Sequence, residues 1–212
     1  MKKSVLFIIV LIIVSCNDRE KKSNQNEISN SYKADSLAIE LNNKAISLIS
    51  DAAHMYDSLS IILYDSAIVF LDRAIEIDSL YLLAYTNKAQ VLQRKGSLEE
   101  ALKVLKQVET RKPDFAEVIT AQGFILEKIG RMELADRKYR QALKAYEERL
   151  DKNPMNDKVQ SDISFLYIFL EDKKAAMDEI QKLIVENPNS EQLKMMESVI
   201  KDFDREKFIE EY

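Results

Sequence analysis

Residues 82–115 read LLAYTNKAQVLQRKGSLEEALKVLKQVETRKPDF, and the next 34 residues, 116–149, read AEVITAQGFILEKIGRMELADRKYRQALKAYEER. Laid one on the other, they place Ala89 on Gly123, Leu92 on Leu126, Gly96 on Gly130, Ala101 on Ala135 and Leu105 on Tyr139. Adding 41 carries the set on to Ser164, Tyr167, Ala176 and Ile180, and Pro113, Pro154 and Pro188 follow the same beat. Each member has a physical task in a helix pair. Small Ala89, Gly123 and Ser164 let two helices approach closely. Gly96 and Gly130 stand where a first helix stops and the chain turns. Ala101, Ala135 and Ala176 seat the second helix on the first, and each Pro ends its unit because proline cannot continue a helix. All three Gly and all three Pro of the chain are thereby used as punctuation.

A 34-residue period with a small residue early, Ala after a turn, a bulky residue four later and a terminal Pro resembles the tetratricopeptide repeat. The units are 82–115, 116–149 and 157–190. The resemblance implies an all-α chain, a right-handed superhelix of antiparallel helix pairs with about four repeats and a C-terminal capping helix. Residues 149–157 carry seven extra positions. The stripe Ala135, Tyr139, Ala142, Tyr146, Leu150 continues through them, so a longer helix is expected, and Glu147 stands where the family has Pro. Upstream, Leu37, Leu41, Ala45, Leu48 and Ala52 form one helical stripe, and Ala67, Leu71 and Ala74 belong to a second. Residues 35–81 therefore read as a degenerate first repeat with about ten extra residues. Downstream, Ser190 caps a helix with Leu193, Met196, Ile200 and Phe203 at helical spacing, and 191–212 suit the polar-faced end that a repeat array needs.

The first residues are an address. Lys2 and Lys3 precede an apolar run, Val5 to Val14, which as a helix would rise about 15 Å, half the roughly 30 Å hydrocarbon core. Residues 1–15 thus read as a cleaved signal peptide. The sequence Ile13-Val14-Ser15-Cys16 resembles the lipobox of bacterial lipoproteins, with the only Cys of the chain at its obligatory place. The resemblance implies acylation of Cys16 and a membrane anchor of two or three acyl chains. Asn17 follows Cys16, so Asp directly after the Cys, the inner-membrane retention signal, is missing. The outer membrane is the expected site, on its periplasmic face or its surface. Residues 16–34 then form a lipidated Cys and a polar tether.

Composition removes most chemistry. With 31 Lys plus Arg against 36 Asp plus Glu and a net charge of −5, the chain lacks the footprint of a nucleic-acid binder. One Cys and one His leave no zinc ligand set, and three isolated Gly build no phosphate loop. The acidic pairs Glu99-Glu100, Glu147-Glu148 and Glu210-Glu211 point about 100° apart on a helix and do not converge. No catalytic residue, metal, cofactor or small-molecule substrate is expected, and the chain reads as a non-enzyme.

Binding is the remaining job. The family's carboxylate clamp needs Lys, Asn and Arg along the inner faces, whereas this chain has Thr86 and Gln90, Thr120 and Phe124, then Ser161 and Phe165. Asn87 and Lys158 alone suit the clamp, and Asp162 opposes it. The ninth position of each unit, which the resemblance places on the concave face, reads Gln90, Phe124, Phe165, with Ile168 and Phe169 extending it. These five form the candidate groove for a protein or peptide, since exposed apolar patches mark interfaces. The rival reading is that the final helix, through Met195 and Val199, covers them. Asp-Ser-aliphatic triplets occur at Asp35, Asp57, Asp65 and Asp78. They read as helix caps or, by resemblance to a bacterial O-glycosylation sequon, as modification sites at Ser36, Ser58, Ser66 and Ser79. The whole implies a lipid-anchored scaffold of the bacterial cell envelope. The alternative is an accessory or regulatory subunit of an envelope enzyme or a secretion or assembly complex.

Overall fold

The computed structural model describes residues 32–53 and 58–212, the side chain of Ser58 excepted. Among them all regular structure is helical, and they fall into two compact units that divide between Arg111 and Lys112. The first unit holds α1 (Ser36–Ala53), α2 (Ser58–Ile77), α3 (Leu82–Arg94) and α4 (Leu98–Arg111). The second holds α5 (Ala116–Lys128), α6 (Met132–Lys152), α7 (Asp157–Leu170), α8 (Lys173–Glu186), α9 (Glu191–Asp202) and α10 (Arg205–Glu211).

In the first unit, small residues set the packing. Ala38, Ala45 and Ala52 of α1 meet Ala67, Leu71 and Ala74 of α2, and Ala84 and Val91 of α3 close the cluster. Of the stripe expected on α1, Leu41, Ala45 and Ala52 are buried and Leu48 is partly buried against them, whereas Leu37 is 47% exposed and Ala38 and Ile49 complete the buried face. The start of α1 fixes this rotation. Asp35 Oδ1 accepts from Leu37 N at 2.8 Å and Ala38 N at 3.3 Å, an N-cap, while Asp35 N donates to Asp78 Oδ2 at 2.9 Å. Asp78, in the turn after α2, also accepts from Tyr32 Oη at 2.6 Å. Between α1 and α3, the Asn87 amide donates to the Asn42 carbonyl oxygen at 2.7 Å, both side chains buried.

The α3–α4 and α5–α6 turns are identical in chemistry. Gly96 and Gly130 both have φ of 78°. At the first, Gly96 N donates to Gln93 O and Ser97 N to Leu92 O; at the second, Gly130 N donates to Glu127 O and Arg131 N to Leu126 O. The paired bonds satisfy carbonyls that a helix end leaves open, and they require the left-handed residue that glycine supplies without strain. The α7–α8 turn has no glycine. There Glu171 takes φ −125°, ψ −102°, and Asp172 caps α8 by accepting from Ala175 N at 2.8 Å.

In the second unit α5 is the innermost helix, with every residue from Ala116 to Leu126 buried. Gly123 is the point of closest approach, since a Cβ there would lie 2.6 Å from Tyr139 Cδ1. α6 runs 21 residues, to Lys152, and buries Ala135, Tyr139, Ala142 and Tyr146 on one side. The C-terminal cap is two helices rather than the single one expected. Phe203 is extended (φ −71°, ψ 134°), and Asp204 caps α10 by accepting from Lys207 N at 3.0 Å. A carboxylate positioned to cap a new helix ended the old one.

Candidate functional site

The inner face of the second unit is built from α5 and α7. Three residues of the sequence-derived groove, Phe165, Ile168 and Phe169, project from α7, and Phe124 projects from α5. The structure brings the three rings together: Phe124 and Phe169 have centroids 4.7 Å apart, and Phe165 and Phe169 5.7 Å. Gln90 belongs to α3 in the other unit, where it is half-buried.

The face is not open. Phe124, Phe165, Ile168 and Phe169 are 2 to 7% exposed. The reading of an uncovered groove is thereby corrected, and the rival reading of a cover from 191–212 holds, though not through Met195. Met195 is 42% exposed, and Val199 is buried. The side chains that lie on the face are Phe203, Phe208 and Tyr212, from the break after α9 and from α10. Phe203 meets Phe165 edge-on at 4.9 Å, Phe208 meets Phe124 edge-on at 5.1 Å, and Tyr212 meets Phe124 at 5.1 Å. Edge-to-face pairs of this kind contribute about 0.5–1.5 kcal/mol each beyond burial.

Charge fixes the cover in place. Arg205 straddles Glu127, Nε to Oε1 at 2.8 Å and Nη2 to Oε2 at 3.0 Å, and its guanidinium lies 5.1 Å from the Phe169 ring centre. Its Nη1 donates to Ile168 O at 3.2 Å. Tyr139 Oη also donates to Glu127, at 2.8 Å. Burial, then the Glu127 charge, pushes the Tyr139 phenol far above its ordinary value, so it stays a donor. Lys128 Nζ donates to Ile209 O at 3.1 Å and Glu210 O at 2.6 Å, and Lys173 Nζ to Phe203 O at 2.9 Å. Beside the Arg205–Glu127 pair an open cleft of about 580 Å³ is lined by Met132, Glu133, Asp136, Arg137, Tyr139 and Phe169 among others.

A second polar cluster lies along α5, α6 and α7. Arg149 makes a fork on Glu117 at 2.7 and 3.1 Å, and Lys158 Nζ donates to Asp162 at 2.8 Å with Glu117 at 4.0 Å. Burial works to raise Glu117, but the Arg149 hydrogen bonds and charge outweigh it and hold the carboxyl below its ordinary value. Asp162 goes the other way. Burial pushes it up to about 6 despite Lys158. The two clamp-type residues are thus engaged internally, Lys158 by carboxylates and Asn87 by Asn42.

Of the modification candidates, Ser36 and Ser79 are exposed, and half-buried Ser66 donates to Ile62 O at 2.9 Å. The side chain of Ser58, and all of Cys16 and His54, lie outside the described residues. Among the described residues no group of three or more His, Cys, Asp or Glu is placed to hold a metal ion, and no helix is long and apolar enough to cross a membrane. Sequence reading missed Glu127, Lys128 and Arg205. Their pairing spans 78 to 82 residues, beyond any periodicity; the local signal was Asp204 as a cap with Phe208 and Tyr212 four apart.

Residues 82–115 match the family model of the tetratricopeptide repeat. No curated protein matches the chain. Among solved structures it is similar to a tetratricopeptide repeat protein from Parabacteroides merdae, at TM-score 0.44 and 19% identity over 75% of this chain. That match spans 59% of the other protein's length. It is also similar to MamA from Desulfovibrio magneticus, at TM-score 0.44 and 18% identity over 73% of this chain and 77% of that one. The first repeat domain of Spaghetti (RPAP3), solved with an HSP90 peptide, matches at TM-score 0.39 and 16% identity over 59% of this chain and 91% of that one. The Gly-punctuated helix pair at 82–115 is thus the stretch of this chain that matches the tetratricopeptide repeat.

Proposed function

We propose that the chain is a lipid-anchored scaffold of the bacterial cell envelope, held to the membrane through Cys16 and binding a protein or peptide partner with its helical repeats. The observation that carries this reading is the joining, in one chain, of a tetratricopeptide repeat at 82–115 to a lipobox whose Cys is the only one present. A repeat without converging catalytic groups offers surface, and an acylated Cys ahead of a polar tether places that surface at a bilayer. The outer membrane is favoured because Asn17, not Asp, follows Cys16.

The test is co-purification after detergent extraction of membranes. A non-catalytic envelope protein retained with the wild-type chain is the expected result. A stoichiometric enzyme in its place would move the assignment to an accessory or regulatory subunit, and no retained protein would remove the scaffold reading. Asp-Ser glycosylation is a separate proposal, supported at Ser36 and Ser79 by their exposure. It predicts an intact mass above peptide plus lipid that falls when Ser36, Ser58, Ser66 and Ser79 are together changed to Ala. A native mass equal to peptide plus lipid removes it.

A further inference from the structure

The outer side of α2 carries an apolar stripe that the repeat does not require. Ala67 and Leu71 of α2 stand 34 residues before Ala101 and Leu105 of α4, so the second helices can be compared position by position. On that register Val69, 57% exposed, stands where the later second helices carry Lys103, Arg137 and Asp178, all exposed. Leu98, the first residue of α4, matches Tyr64, so residues 58–63 of α2 have no counterpart there. Those extra residues expose Leu59, Ile61 and Ile62. Leu59, Ile62, Val69 and Ile77 follow at intervals of three, seven and eight, which is one face of a helix, and all four are exposed. Ser66 and Arg73 are its polar members. The Ser66 hydroxyl is turned back onto Ile62 O, and an arginine can lay its stem on an apolar surface with its head in water. Asp65, Asp72 and Glu76 line one flank, and the first two are paired with Lys95 and Lys88 of α3.

What the stripe meets follows from where the chain ahead of α1 departs. Asp78, one residue past α2, accepts from Tyr32 Oη at 2.6 Å and from Asp35 N at 2.9 Å. The residues that lead back to Cys16 therefore leave beside Ile77 and the exposed Leu80. Sixteen residues take the chain from Cys16 to Tyr32, and by covalent geometry they span at most about 55 Å. An acylated Cys16 thus presents α2 to its bilayer at a millimolar effective concentration, where a weak apolar contact suffices. A second copy suits the stripe less well. The 20 residues of α2 are about 30 Å long, and a stripe about 10 Å wide offers roughly 600 Å² between two copies. A specific interface buries about 1,200 Å² or more.

We propose that the outer stripe of α2, Leu59, Ile62, Val69 and Ile77, is a membrane-docking face that lies in the headgroup region of the bilayer holding Cys16. The acyl chains hold the protein, and the stripe orients its first unit on the lipid surface. This rests on the acylation of Cys16 in the scaffold reading and adds a lipid contact to it. A glycan on Ser66 would stand on the same stripe, so docking and modification exclude each other at that residue.

Because Cys16 is the only cysteine, an introduced one is the single free thiol of the acylated chain. Ile62→Cys, Val69→Cys and Lys103→Cys, each exposed in the parent, are labelled with bimane in the acylated full-length protein and reconstituted into uncharged phosphatidylcholine–phosphatidylethanolamine vesicles. Lipid carrying a nitroxide at headgroup depth is expected to quench positions 62 and 69 at least about two-fold more than 103, and detergent to abolish the difference. Flotation of the same vesicles reads the anchor separately. Equal quenching at the three positions on a chain that floats overturns the docking face and leaves the anchor standing, whereas an acyl-free chain that does not float removes both. Positions 62 and 69 shielded from water but unquenched by lipid, with Val69→Cys oxidising to a disulfide-linked dimer, would assign the stripe to a second copy and overturn the proposal. A sugar mass on the native peptide that contains Ser66 overturns it as well.

Discussion

Gly123 shows what a repeat position specifies at the level of a single atom. Its missing Cβ is the space that the Tyr139 ring occupies, with Tyr139 Cδ1 2.6 Å from where the Cβ would stand. Gly123→Ala gains about 1 kcal/mol of helix propensity. It also overpacks a buried contact, which costs about 1–3 kcal/mol and more when a ring must move. The expected net loss is about 1–2 kcal/mol in urea unfolding, with the Tyr139–Glu127 bond disturbed. Asp162 gives the residue-level pH dependence. Its folded pKa, about 6, lies above the ordinary value of 3.8, so its contribution to stability is full below about 3.8 and lost as pH rises through 6. The charges facing it are Lys158, Glu117 and Arg149. Asp162→Asn should therefore melt near wild type at pH 4 and be about 1–2 kcal/mol more stable than wild type at pH 7.5. Glu117, held low, has the opposite sign and loses its contribution only as pH falls below the ordinary carboxylate range.

At the scale of elements, the same residue type does different work. A Cβ at Gly130 meets nothing within 4 Å, yet φ there is +78°, so Gly130→Ala costs conformational strain alone, about 1–2 kcal/mol, with α5–α6 packing unchanged. Gly96→Ala should match it, because the two turns share their hydrogen bonds. Thermal melts of the two variants check this, and a cost at Gly130 far above that at Gly96 would contradict the shared mechanism. The α9–α10 break rests on Asp204. Asp204→Ala removes the cap to Lys207 N and should cost α10 about 0.5–2 kcal/mol, read as faster hydrogen exchange at 205–211 with α5 amides unchanged. Helix α6 illustrates the reverse case: its seven extra residues keep the buried stripe because seven is nearly two turns.

At the scale of the molecule, the proposed anchor and the described helices meet through residues 17–34. Cys16→Ser should abolish acylation and move the protein from the membrane pellet to the soluble fraction, since a single thiol carries the whole attachment. A Ser variant still wholly in the pellet would remove the lipid anchor from the account. The helix pairs were legible in the sequence because their determinants are local. Gly96 and Gly130, the small residues 34 apart and the prolines all act within one unit, through turn geometry and close approach. Leu37 was misread because it lies one position from Ala38, the residue that faces the core in the first turn of α1, where the Asp35 cap is tied to Asp78 across 43 residues.

The sequence alone determined the all-α class, the repeat and its register, since a period of 34 residues restates the same packing problem in each unit. It also singled out Phe124, Phe165 and Phe169, whose rings pack together, within a wider set that included Gln90 and Ile168. Only the tertiary structure decided whether those rings meet solvent. The deciding contacts, Arg205 on Glu127 and Lys128 on the end of α10, join residues 78 to 82 positions apart. Such pairs repeat with no period, so their energy is set by which surfaces folding brings together and leaves no trace in local spacing.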